Sequence, residues 1–159
     1  MNPTNKDLNK LAEVASQLNT ETDDLNRLII SLEERLAGMQ IGLECWCGLT
    51  IEPVERFGEN YETDEKDKFR ESWNLGYCKI GDAWRIAIRR EIDDYAPPYD
   101  QWDFAGVVTA TLTSLANAPR HLRISFAEHL DTLISSLTEL AERRVEEMQK
   151  AKKELASES

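Results

Sequence analysis

Residues 5–40 read NKDLNKLAEVASQLNTETDDLNRLIISLEERLAGMQ, and this stretch decides the fold. Its seam residues recur at alternating intervals of three and four: Leu8, Leu11, Ala15, Leu18, Thr22, Leu25, Ile29, Leu32, Leu36 and Met39. That spacing places them along one side of an α-helix, as in the seam of a coiled coil. A helix cannot bury such a seam alone, so the rest of the chain is expected to supply its packing partner.

The apolar stripe of this predicted helix is wider than a two-stranded seam requires. Val14 and Leu28 lie beside the seam and broaden it. This indicates more than one neighbour, either a second helix and a sheet or a second subunit. Thr4 or Asn5 can cap the helix, and Asp7 places a negative charge near its positive end.

A second long helix is predicted over residues 118–155. Asn117 is a candidate cap, and Pro119 is tolerated in a first helical turn. Its apolar stripe comprises Leu122, Phe126, Leu130, Leu133, Leu137 and Leu140. Because two helices of nearly equal length stand at the two ends of the chain with the strands between them, we expect them to pair antiparallel, with Gln40 near Pro119.

Between the helices the apolar period changes from 3.5 to 2, which is typical of strands. Residues 41–51 alternate in this way, and Pro53 is expected to end the strand. Residues 72–80 and 83–92 form a predicted hairpin around Gly81-Asp82. Its register pairs Ile80 with Ala83, Tyr77 with Ile86, and Leu75 with Ile88, and it gathers Trp73, Leu75, Tyr77, Trp84, Ile86 and Ile88 on one face.

Two stretches between these elements are predicted as loops, an acidic one over residues 52–71 and a proline-containing one over residues 93–103. Residues 106–113 (GVVTATLT) fit a fourth strand or the start of a helix, and their β-branched content favours the strand. The sequence therefore predicts a single α+β domain over residues 1–159. Two long antiparallel terminal helices, 5–40 and 118–155, form a stalk, and the inserted region 41–117 carries a three- to four-stranded antiparallel sheet.

Charge and composition narrow the function classes. The formal net charge is −11, which disfavours nucleic-acid binding because phosphate backbones are repelled. No apolar run approaches the ~20 residues of a membrane span, and the first residues do not resemble a signal peptide. Three cysteines, an odd number, do not fit a secreted disulfide framework. We therefore expect a cytoplasmic protein with free thiols, no nucleic-acid partner and no membrane association.

No set of residues predicts catalysis, a cofactor or a metal. Cys45 and Cys47 alternate with the other apolar residues of their strand, so burial is favoured over metal ligation. His121 and His129 lie eight residues apart, too far for the usual chelating pair on a helix. Phosphate-binding and nucleophile motifs are missing from the sequence. An enzymatic function is therefore disfavoured, although the sequence does not decide the question.

One predicted partner surface is the outer face of the sheet. Trp46, Arg85 and Arg89 fall on this face, and tryptophan beside arginine is common at interfaces. The alternative, equally consistent with the pattern, is that Trp46 packs under a loop or helix.

A second predicted partner surface is the loop over residues 93–103. Tyr95, Tyr99 and Trp102 alternate with acidic residues there. They fit a recognition loop, but anchoring of the loop on the core is favoured.

These observations favour a non-catalytic cytoplasmic protein–protein interaction protein, scaffold-like or chaperone-like, with a homodimer expected from the wide stripe. One alternative is a small-molecule-binding protein or enzyme with a pocket between sheet and helices. Another is an acidic inhibitor that mimics nucleic acid.

Overall fold

The computed structural model describes residues 2–57, 68–94 and 107–158. The chain begins with helix α1 (Asn5–Gly38) and continues into strands β1 (Cys45–Phe57), β2 (Lys68–Ile80), β3 (Ala83–Asp94) and β4 (Val107–Ser114). A 3-10 turn (Leu115–Asn117) leads to helices α2 (Arg120–Ala127) and α3 (Leu130–Ser157). The strands form one antiparallel sheet in the order β1-β2-β3-β4. The α+β class with an inserted antiparallel sheet is confirmed, and β4 confirms the fourth strand.

Helix α1 begins where the sequence places a cap. The backbone N–H of Asp7 donates to Thr4 Oγ1 at 3.2 Å, and the backbone N–H of Thr4 donates to the Asp7 carboxylate at 3.0 Å. These hydrogen bonds satisfy two donors that a helix start leaves unpaired. The Thr4 hydroxyl also donates to the Asp7 carboxylate at 2.6 Å, and this bond, together with the one from the Thr4 N–H, lowers the pKa of Asp7. The N-terminal end of α1 is therefore fixed by local interactions alone.

The central hairpin has the predicted register. Ile80 pairs with Ala83, Tyr77 with Ile86, and Leu75 with Ile88. Gly81 opens the turn with a φ of 61°, a conformation that glycine adopts at little cost. Because the turn fixes the register, the apolar side chains fall on one face.

Strand β1 differs from the prediction at both ends. It begins at Cys45 rather than Ile41, and it continues through Pro53 to Phe57. The expectation that Pro53 ends the strand is wrong, because β1 is an edge strand, where a missing N–H costs no pairing. The register of β1 on β2 shifts between Ile51 and Val54, on either side of the proline. The pairing of β1 with β2 also converts much of the predicted loop 52–71 into strand.

The second helical region is broken rather than continuous. Its first helix starts at Arg120 with Pro119 at the cap position, because residues up to Asn117 form the 3-10 turn. The helix stops after Ala127 and resumes at Leu130. Phe126 and Leu133 are both fully buried on the two sides of this break. The prediction of one helix over residues 118–155 is therefore wrong at its start and at its middle.

The long helices α1 and α3 run in the same general direction, not antiparallel as expected. Residues later in α1 lie beside residues later in the second helical region. Asn19 contacts Arg120, Asn26 contacts Arg123, and Leu36 and Leu137 line the same groove. The two helices pack on different strands of the sheet, α1 on β3 and α3 on β1. Strands β1 and β3 are both antiparallel to β2 and therefore parallel to each other. Gln40 consequently does not meet Pro119.

The core lies between the inner face of the sheet and the two helices. Leu75, Tyr77, Ile86 and Ile88 form the sheet side of this core and are almost fully buried. The helices contribute Ile29 and Leu36 from α1 and Leu122, Phe126, Leu133 and Leu137 from α2 and α3. Trp84 stacks on Tyr77 with ring centroids 5.5 Å apart. The predicted apolar face of the hairpin is thus the inner face.

Substitution of two glycines provides a test of this packing. Gly76 lies under the Trp46 ring, and a Cβ there would overlap the ring and lie 2.7 Å from the Cys45 carbonyl oxygen. We expect Gly76→Ala to destabilise the fold by about 1–3 kcal/mol through overpacking. Gly38 has open space around it, so Gly38→Ala should stabilise α1 by about 0.5–1 kcal/mol. Urea unfolding measures both, and effects of the same sign would contradict the packing described.

Candidate functional site

The side chains that usually carry chemistry are dispersed in this fold. Among the side chains that the structure describes, those of residues 2–47, 72–91 and 111–158, no three potential ligands among His, Cys, Asp and Glu come together as a metal site would require. None of the helices in the same ranges has the length and apolarity of a membrane span.

The cysteines are packing residues. Cys45 and Cys47 are buried on the inner face, as the sequence predicts, and Cys78 is buried on the opposite face. All three are free thiols. Burial is the main cause that raises the pKa of each thiol. Because the thiolate is the reactive form, these cysteines are poor nucleophiles in the folded protein.

The outer face of the sheet brings together two of the predicted partner-binding residues. The Arg89 guanidinium lies 4.2 Å from the centre of the Trp46 ring. Trp46 Nε1 donates to Glu44 at 2.8 Å, and Arg89 Nε lies 2.7 Å from a Glu91 carboxylate oxygen. Trp46 and Arg89 are therefore neighbours, and each already has a partner within the chain, Glu44 in a hydrogen bond and Glu91 in an ion pair.

The other predicted residues do not join this pair. Arg85 is directed to α1, where its guanidinium lies 3.7 Å from the Glu33 carboxylate. Tyr95, Tyr99 and Trp102 lie outside the described residues. The predicted outer-face site is thus reduced to Trp46 and Arg89.

Glu33 is a buried charge that the sequence pattern does not reveal. Its side chain is 4% exposed. Its carboxylate accepts a hydrogen bond from the backbone N–H of Ile86. Strand β4 ends opposite Ala87, so it does not extend to Ile86. Burial raises the pKa of Glu33, and Arg85 and the Ile86 N–H partly oppose this rise. Glu33 thus joins α1 to the free edge of β3. The adjacent Glu34 is exposed, so nothing in the sequence distinguishes the two.

An apolar groove lies between the C-terminal part of α1 and the first half of α3. Its volume is about 810 Å³. Apolar side chains form most of its wall: Leu32, Leu36 and Met39 from α1, and Ile134, Ala141 and Val145 from α3. Three charged residues also line it, Arg35, Glu142 and Glu146. The groove exists because the two helices pack on different strands and leave a space between them.

The first half of α1 extends beyond the core as an arm, defined as residues 5–21. Every residue of the arm is exposed except the half-buried Ala15. Its apolar side chains are uncovered, with Leu8 at 49%, Leu11 at 63%, Val14 at 44% and Leu18 at 43% exposure. At 1.5 Å per residue the arm is about 25 Å long. An uncovered apolar row of this length is unusual for a helix in water.

Known proteins do not identify this site, because the chain matches no protein-family model, no curated protein and no solved structure. The groove and the arm were not predicted as a site. The signal was present in Val14 and Leu28, which widen the stripe and are both exposed in the structure. Function must therefore be inferred from the two uncovered apolar surfaces.

The buried carboxyl of Glu33 predicts a pH dependence of stability. A carboxyl with a raised folded-state pKa stabilises the fold below its ordinary value of 4.5, and that stabilisation is lost as the pH rises through the raised value. The substitution Glu33→Gln removes this loss of stability at higher pH, because glutamine does not ionise. We expect the unfolding free energy of the variant, relative to wild type, to increase above pH 4.5 by at most ~1.4 kcal/mol per pH unit. Urea titrations at several pH values measure this, with the exposed neighbour substituted in Glu34→Gln as the control. Equal pH slopes for the two variants would refute the role of Glu33.

Thiol labelling tests the burial of the cysteines. We expect a water-soluble disulfide reagent at pH 8 to modify Cys45, Cys47 and Cys78 at least tenfold more slowly than an added exposed thiol in Ser16→Cys, because burial limits access and raises the thiol pKa. In denaturant, the three native thiols and the added thiol should all react rapidly. Rapid labelling of Cys45 or Cys47 in the native chain would contradict the packing.

Proposed function

We propose that this chain is a non-catalytic protein–protein interaction protein that binds its partner through the arm and the groove. The observation that carries the proposal is the row of Leu8, Leu11, Val14 and Leu18 on a projecting helix, which the described part of the chain leaves exposed. Contiguous apolar surface of this kind marks interaction sites in soluble proteins. An amphipathic helix and an apolar groove are also the two halves of a recurrent recognition mode.

The energetic scale of this surface supports the proposal. Full burial of a leucine or valine side chain stabilises by about 1.5–3 kcal/mol, and these four side chains are each roughly half exposed. Covering the row would thus contribute on the order of 3–6 kcal/mol before the costs of association. The Trp46–Arg89 pair offers less, because Trp46 already donates a hydrogen bond to Glu44 and Arg89 already forms an ion pair with Glu91.

A scaffold role fits the way α1 is held. Its second half is joined to the rest of the chain by two polar contacts, Glu33 with Arg85 and Asn26 with Arg123, and a third, Asn19 with Arg120, holds the inner end of the arm. These contacts and the buried Ile29 and Leu36 fix the direction of the arm. The free thiols support a reducing, cytoplasmic location as part of the proposal.

A small apolar molecule is a second candidate occupant of the groove. The volume of about 810 Å³ is within the range of ligand pockets. However, Tyr77 and Trp84 are stacked in the core and do not line the groove. The groove is therefore not a pocket between the sheet and the helices lined by these aromatic rings, which the small-molecule alternative would favour.

Affinity capture with matched variants tests the proposed function. Tagged wild-type chain is compared with Leu11→Glu/Leu18→Glu, which places charge on the apolar row, and with the control Asn9→Glu/Gln17→Glu, which adds the same charge beside it. We expect wild type and control to retain the same bound protein in similar amounts. The Leu11→Glu/Leu18→Glu variant should retain at least tenfold less of it.

Two other results would contradict the proposal. Equal retention by all three chains would show that the arm is not the binding surface. A native chain isolated with an apolar small molecule, and with no protein dependent on the arm, would favour the second candidate.

A further inference from the structure

The arm of a single chain cannot fill its own groove. Both belong to α1, which is one unbroken helix from Asn5 to Gly38. Leu18 in the arm and Leu32 in the groove wall are fourteen residues apart, about 21 Å along the axis. The arm therefore points away from the groove that α1 itself helps to form.

We propose that the groove receives the arm of a second copy of this chain, and that the exchange is reciprocal. This identifies the partner in the proposed function and rests on it. If two α1 helices cross antiparallel near Leu25, the apolar row of each arm meets the groove wall of the other copy. The facing layers are Leu11 with Met39, Val14 with Leu36, and Leu18 with Leu32, whose residue numbers all sum to 50. A two-fold axis produces each layer twice, as an isologous dimer requires.

The lengths of the two surfaces agree. The arm row from Leu8 to Leu18 covers eleven residues, about 15 Å of helix. The α3 wall from Ile134 to Val145 covers twelve residues, about 17 Å. The groove thus accepts the whole uncovered row, and the exposed Met39 at its end would be covered by Leu11.

The charges of arm and groove are complementary in this orientation. Since α1 and α3 run in the same direction, an arm antiparallel to one is antiparallel to the other. The arm then brings Lys6 and Lys10, one helical turn apart, to the level of Glu142 and Glu146, also one turn apart. Opposite charges at an interface favour the correct register over alternatives. A foreign helix would need the same apolar spacing and the same charges, which this chain already carries.

Disulfide trapping tests the register directly. Leu11 and Met39 are twenty-eight residues apart on one helix, about 42 Å, so a bond between cysteines at these positions can form only between copies. Under mild oxidation we expect Leu11→Cys/Met39→Cys to give a covalent dimer of twice 18.2 kDa in at least tenfold higher yield than the control. The control, Glu13→Cys/Ala37→Cys, also sums to 50 but places both thiols on exposed positions away from the row.

Measurement of the molecular mass is the second part of the test. Light scattering of wild type at micromolar concentration should give twice the chain mass. Leu11→Glu/Leu18→Glu should halve that mass while circular dichroism still reports a folded sheet and helices, and Asn9→Glu/Gln17→Glu should not.

Three outcomes would overturn the exchange. One is a monomeric wild type at high micromolar concentration, and another is a dimer that the row variant does not dissociate. The third is equal trapping of both cysteine pairs. If wild type is monomeric yet its arm still captures a foreign protein, the second-copy partner is refuted while the interaction function stands. If neither occurs, both are refuted.

Discussion

The packing of the second half of α1 on the inner face of the sheet is the contact on which the rest of the structure depends. Ile29 and Leu36 contribute to the same core as Tyr77 and Ile86, and Glu33 closes the edge of β3. This contact uses the heptad seam from about Thr22 onward and fixes the direction of the helix. The half before Thr22 is then an extension of the helix whose apolar row is not covered by the described residues, and Asn19 near its inner end accepts a hydrogen bond from Arg120. The groove and the uncovered arm are two consequences of one helix that is longer than the core it covers.

Local patterns in the sequence were sufficient for several elements. The cap at Thr4, one of two candidates, the Gly81-Asp82 turn and the hairpin register depend on neighbouring residues and were predicted correctly, whereas the capping box formed with Asp7 was not predicted. The burial of Cys45 and Cys47 also followed from alternation along one strand. Each of these features is determined by residues close together in the sequence. A turn or an alternation with a period of two is sufficient to predict them, whatever the rest of the fold is.

The errors concern properties that depend on distant partners. Pro53 could remain in a strand only because β1 is at the edge of the sheet, and edge position cannot be read from the strand itself. The relative direction of α1 and α3 depends on which strands they cover. The burial of Glu33 depends on β4 ending opposite Ala87. The exposed Val14 and Leu28 were the one sequence signal that pointed to surface left for a partner.

Amide hydrogen exchange of the arm tests most directly whether a second chain covers it. Isolated helices of about 15 residues are marginally stable in water, so an uncovered arm should exchange rapidly over residues 8–18. If a second copy covers the arm, these amides are protected at high protein concentration, and their protection falls as dilution separates the two copies. Over the same dilution, the amides of residues 29–36 should remain protected by the sheet. Rapid exchange of residues 8–18 at every concentration would contradict the account, as would protection that dilution leaves unchanged down to concentrations at which light scattering shows a monomer.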